Sequence, residues 1–137
     1  MARDDVSRLY LALGNVVRSL RRAVPRSTVG HGGMSALSTI SLNGPLRIGE
    51  LAAHEGISSP SMTRILASLE SLDYVTRSPD PTDGRVALLD LTESGRRYIT
   101  EGQEQRLAAL AARVDALTQD ERATLAGAVE VLEKLAQ

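Results

Sequence analysis

Between Arg77 and Val86 the chain reads Ser-Pro-Asp-Pro-Thr-Asp-Gly-Arg, a stretch through which no helix can continue. Its two prolines remove backbone donors and lock φ, and its Asp-Gly step favours a tight turn. The flanks, residues 74–77 and 86–91, carry the β-branched, aromatic and aliphatic residues that suit strands. This segment commits the chain to a β-hairpin. The other apolar patterns of the 137 residues must be arranged around it.

Those patterns are helical. Val6, Leu9, Leu13, Val16 and Leu20 recur at steps of three and four and predict a helix over 3–22, with Arg18, Arg21 and Arg22 near its C-terminal end and Pro25 as its stop. Met34, Leu37 and Ile40 carry a second helix over 31–42, closed by Asn43-Gly44-Pro45. Ile48, Leu51 and Ala52 carry a short third over 48–55. Gly56 follows as a left-handed turn residue, and Ile57 is expected to be buried. Ser59 is read as the cap of a fourth helix, with Pro60 at its first position and Met62, Ile65, Leu66, Leu69 and Leu72 inward. After the hairpin, Thr92 can cap a long helix over 93–116. Thr118 with Glu121 forms a capping box for the last helix. With three Tyr and neither Phe nor Trp, the core must be aliphatic, which favours helices packed through such stripes.

Composition narrows the function classes. No Cys is present, so disulfides, thiolate metal sites, Cys nucleophiles and thiol-based sensing are excluded. His31 and His54 are isolated, so no metal site is expected. The Asp80–Gly84 turn fails calcium-loop spacing, because the place where such a loop needs Gly is Arg85. No nucleophile elbow occurs, and neither an enzyme nor a cofactor is expected. No apolar run nears the ~20 residues of a membrane span. Asp4 and Asp5 argue against a signal peptide, so a cytoplasmic protein with no membrane partner is expected.

Charge gives little guidance. The net is −1; residues 1–30 hold six Arg against two Asp, whereas residues 46–97 hold six Arg against eight acids. If the second segment meets a polyanion, it must do so with a few placed Arg and backbone N–H groups. The placement is suggestive. Two helices joined through Gly56 form a helix-turn-helix, and the second leaves Ser61, Arg64 and Ser68 on its outer face. Small polar residues let a helix sit deep in a major groove, Arg can bond guanine in a bidentate way, and N–H groups at the helix start can hold a phosphate. Arg85, at the tip of the hairpin, suits a minor groove, oriented by Asp83.

Asp80-Pro81-Thr82-Asp83-Gly84-Arg85 followed by Leu91-Thr92-Glu93-Ser94-Gly95 closely resembles the wing signature of the MarR family of transcription regulators. Glu50-Leu51-Ala52, Ser61-Met62-Thr63-Arg64 and Leu69-Glu70 match that family's helix-turn-helix, and the resemblance extends over nearly the whole chain. Gly84 stands where a second basic residue is frequent, and Arg47 where a Thr or Ser cap is common. The resemblance implies a mainly α fold with a small β-hairpin (α+β), a winged helix-turn-helix with N- and C-terminal dimerisation helices. It implies one domain over 1–137, with a DNA-binding lobe at 33–95 and dimerisation helices at 3–24 and 96–137. Ser61, Thr63 and Arg64 would enter the major groove and Arg85 the minor groove, with Asp83 holding the wing. Ser59, Ser68 and Arg77 complete the DNA-binding candidates, Arg77 as a phosphate contact.

The implied partners are double-stranded DNA, a second copy of the chain and a small-molecule effector. The effector would sit near the first, second and fifth helices, with Tyr10, His31 and Met34 as candidates by location. The expected function is a ligand-responsive repressor on a pseudo-palindromic operator. The alternative is a winged-helix module that binds protein instead of DNA, which the acid excess of residues 46–97 favours.

Overall fold

A computed structural model describes residues 1–24 and 28–137. Pro25, the expected stop of the first helix, lies outside the described residues. The elements run α1 (Arg3–Ala23), α2 (His31–Asn43), β1 (Leu46–Arg47), α3 (Ile48–Glu55), α4 (Ser59–Ser71), β2 (Val75–Pro79), β3 (Ala87–Leu91), α5 (Glu93–Asp115) and α6 (Gln119–Leu135). Contacts gather the chain into two units. The central one is Pro25–Gln103; the terminal one combines Met1–Val24 with Glu104–Gln137. The long α5 contributes its first half to the central unit and its second half to the terminal one.

The central unit holds the whole buried apolar core found among the described residues. Leu37 and Ile40 of α2, Leu51 of α3, Met62, Leu66 and Leu69 of α4 and Leu89 of β3 are almost fully enclosed. Each such side chain contributes roughly 1.5–3 kcal/mol relative to staying exposed. Ile65, Leu72, Tyr74, Tyr98 and Ile99 close the edges, and the rings of Tyr74 and Tyr98 stack with centroids 4.6 Å apart.

The hairpin is part of a larger sheet than the sequence suggests. Three antiparallel strands run in the order β1-β3-β2. Val75 pairs with Leu91 and Pro79 with Ala87, while Leu46 and Arg47 pair with Leu89 and Leu88. A two-residue strand carries no period for a sequence to display, so β1 has no signal in the sequence. Pro79 is tolerated because β2 is an edge strand.

Two local expectations need correction. The cap of α4 is Ser58, whose Oγ accepts from the Ser61 N–H; Ser59 is therefore the first helical residue and Pro60 the second. Ile57 is exposed (38 %) rather than buried. The backbone holds the turn: Gly56, at φ 65°, ends α3 with bonds from its own N–H to Ala53 O and from the Ile57 N–H to Ala52 O. The capping box at Thr118 and Glu121 forms as its spacing predicts, and the Thr92 hydroxyl caps α5 by accepting from the Gly95 N–H at 2.9 Å.

The terminal unit is built differently. None of its residues is buried. Val6, Tyr10 and Val17 on α1, Leu107 on α5, and Val129 and Leu135 on α6 are all exposed. Arg113 ties α5 to α1 by donating to the Ser19 hydroxyl at 2.6 Å and to the Ser19 carbonyl at 3.2 Å.

Candidate nucleic-acid interface

The outer face of α4 is set by its buried one. With Met62, Leu66 and Leu69 in the core, Thr63, Arg64 and Ser68 are left exposed and Ser61 half-buried. Ser61 is drawn into the cap, its hydroxyl accepting from Ser58 Oγ at 2.9 Å. The Thr63 hydroxyl donates back to the Ser59 carbonyl at 2.9 Å, which keeps the side chain close to the helix. Short side chains held down in this way permit close approach to a groove. At the helix start, Pro60 has no N–H and Ser61's is capped. The N–H of exposed Ser59 is the remaining donor of that first turn without a partner among the described residues.

Arg64 stands clear. Of the six Arg in residues 46–97, five pair with carboxylates: Arg47–Asp80, Arg77–Glu70, Arg85–Asp83, Arg96–Asp90 and Arg97–Glu93. Arg64 has no such partner among the described residues. The pairs engage five of the eight carboxylates in residues 46–97, none of which is spent on Arg64.

The hairpin loop is organised by two aspartates. Asp80 N–H donates to Val86 O at 2.8 Å and Val86 N–H to Asp83 O at 3.0 Å, closing the loop. Asp80 Oδ1 accepts from the Thr82 amide and hydroxyl, and its Oδ2 from Arg47. These bonds, with the Thr82 donors contributing most, hold the Asp80 carboxyl at about 2, well below its ordinary value. Asp83 Oδ1 accepts from both the Arg85 amide (3.1 Å) and its Nε (3.3 Å), while the Arg85 side chain is 92 % exposed. Asp83 steers Arg85 without covering it.

Arg77 is found with Nε bonded to Glu70 Oε1 at 2.7 Å, so the foot of the hairpin is joined to the last turn of α4. Tyr10 is exposed on α1 in the terminal unit, beside Leu13 and Val17. His31 is exposed and Met34 half-buried on α2, in the central unit. The residues that sequence reasoning missed are Arg47 and Asp80 as a pair. Both are polar residues beside turns, and nothing local to either marks the other.

Comparison with known proteins agrees with the geometry. The family model described as MarR family matches residues 32–87. An HTH-type transcriptional regulator of Mycobacterium tuberculosis is 37% identical over 126 residues, covering 92% of this chain and 88% of the relative. A second, from Mycobacterium leprae, is 36% identical over 129 residues, covering 94% and 90%. Among solved structures, transcriptional regulator Tm0710 from Thermotoga maritima matches with a TM-score of 0.84 at 25% identity, covering 97% of this chain and 94% of that one. A MepR mutant of S. aureus bound to an oligodeoxyribonucleotide shares the fold, with a TM-score of 0.74 at 16% identity, covering 96% and 98%.

Proposed function

Because this chain belongs to the MarR family of winged helix-turn-helix, DNA-binding transcription regulators, we propose that it acts as a homodimeric, ligand-responsive repressor of a pseudo-palindromic operator. The carrying observation is the terminal unit: α1, α6 and the second half of α5 carry many large apolar side chains, yet none of the unit's residues is buried. Exposed apolar area of that extent calls for a partner. A second copy satisfies it with a self-complementary interface, and a twofold dimer matches a palindromic site. In this reading residues 33–95 form the DNA-binding lobe, and residues 3–24 and 96–137 the dimerisation helices.

The proposed DNA contacts divide by groove. Thr63, Arg64 and Ser68 read the major groove from α4, with Ser61 and Ser59 at its start and the Ser59 N–H open to a phosphate. Arg85 enters the minor groove, held by Asp83, and Arg77 adds a phosphate contact through the nitrogens that Glu70 leaves free. That a MepR mutant was captured on an oligodeoxyribonucleotide supports DNA as the partner of this fold. The effector response rests on the family, with Tyr10, His31 and Met34 as its candidate residues.

The test is selection of bound sequences from random DNA, then salt titration on the selected site. Enrichment of a palindrome is expected. With Arg64, Arg77 and Arg85 supplied by each protomer, log K should fall against log salt with a slope of about −5 for the dimer. A slope steeper than about −8 would mean that cations beyond these three join the interface. No enrichment together with no salt response would favour a protein-binding module instead.

A further inference from the structure

The Arg47–Asp80 pair joins parts of the molecule that the DNA-binding reading treats separately. Arg47 lies on β1, one edge of the sheet, and opens α3; Asp80 directly follows β2, the other edge. The ion pair therefore reaches across the central strand β3. Arg47 does not cap α3 with its side chain, because a guanidinium has no acceptor. Glu50 serves that start instead, its Oε2 accepting from the Arg47 N–H at 2.8 Å. The guanidinium is left to donate twice to Asp80 Oδ2, from Nε at 3.0 Å and Nη2 at 2.6 Å.

Asp80 is the buried charged residue of the described chain, 7 % exposed. Its two oxygens accept four hydrogen bonds: the Thr82 amide and hydroxyl on Oδ1 at 2.8 and 2.7 Å, and Arg47 on Oδ2. A carboxylate satisfied on both oxygens has one orientation. It fixes the loop's first turn from inside and the loop's attitude to α3 from outside. Arg85 lies in the same loop, closed by the Asp80–Val86 bond.

We infer that Arg47 is a positioning residue: through Asp80 it locks the loop carrying Arg85 to the helix-turn-helix, so that α4 and the wing meet DNA in one fixed register. This rests on the DNA-binding reading, but the clasp itself does not. Two measurements separate them. The first is amide hydrogen exchange on the free full-length protein. Arg47→Ala should speed exchange at Thr82 and Val86 and leave the core amides of α4 unchanged; unchanged exchange at Thr82 and Val86 would overturn the clasp whatever the protein binds.

The second is DNA affinity at fixed salt on the selected operator for Arg47→Ala, Arg85→Ala, the double variant and Arg47→Lys. If Arg47 acts through the wing, the double variant binds no more than about twofold weaker than Arg85→Ala alone, and Arg47→Lys recovers part of the loss. If the two losses multiply and Arg47→Ala shortens the salt slope by about two, one phosphate per protomer, Arg47 is itself a phosphate contact and the inference fails. Should Arg47→Ala not fold, Asp80→Asn takes its place in both measurements. A wild-type protein that selects no DNA sequence refutes the DNA-binding reading, and hydrogen exchange then decides the clasp alone.

Discussion

Arg64 and Arg85 reach readiness by different routes. Arg64 projects from α4 with no carboxylate partner among the described residues, whereas Arg85 leans on Asp83 through a 3.3 Å contact that leaves its side chain 92 % exposed. Arg64→Ala should relax base preference at one position of each half-site, and Arg85→Ala should weaken operator binding on the order of 1–3 kcal/mol. Affinity measured at fixed salt against single-base operator variants separates the two. A uniform loss with Arg64→Ala would reduce it to a phosphate contact. Asp80 makes a different prediction. Its carboxyl is lowered from 3.8 to about 2. The charged form is thus favoured by folding, and its contribution is complete above its unfolded value and lost as pH falls through about 2. The gap in melting temperature between wild type and Asp80→Asn should therefore be widest near neutral pH and narrow as pH drops below about 4. A constant gap would mean that the charge is not what matters.

The helix starts are set by short-range chemistry and behave accordingly. Ser58 supplies the one side-chain cap of α4, and Ser58→Ala should cost about 1 kcal/mol in a denaturant titration. Gly95 is a case where local reasoning undersold a residue. It looks merely tolerable in a first helical turn, but a Cβ there would overlap the Tyr74 carbonyl, which also accepts from the Thr92 N–H. Gly95→Ala should therefore displace the start of α5 from the sheet and destabilise the central unit by more than the Ser58 change. If melting is unaffected, the backbone there is softer than the geometry implies. The apolar residues of α5 follow no single stripe because its two halves belong to different units. Tyr98 and Ile99 serve the central core, while Leu107 and Leu110 are exposed in the terminal unit.

A molecule with one enclosed core and one coreless set of helices is stable only if something covers the second. The proposed dimer of 14.7 kDa chains would account for that exposure. Val129 is 47 % exposed, so Val129→Glu would be nearly neutral in a monomer. In the proposed dimer it places a carboxylate in an apolar interface. Sedimentation equilibrium should show wild type at about twice the chain mass and Val129→Glu shifted to the chain mass, with operator affinity falling alongside. A wild-type monomer would remove the dimer from the proposal while leaving the lobe intact.

Much of the fold is legible in the amino-acid sequence alone. The Pro-Asp-Pro-Thr-Asp-Gly turn, the Thr118 capping box, the Gly56 stop and the stripe of α4 are steric or hydrogen-bonding rules acting within a few residues, so the amino-acid order already contains them. The outward Arg64 follows from the same stripe. What depended on the fold is whatever joins residues distant along the chain. The pairing of β1 with β3 and the Arg47–Asp80 clasp 33 residues apart leave no local mark. The exposure of Ile57 and the missing core of the terminal helices belong with them. Burial is a property of what the rest of the chain, or a second chain, places alongside a residue.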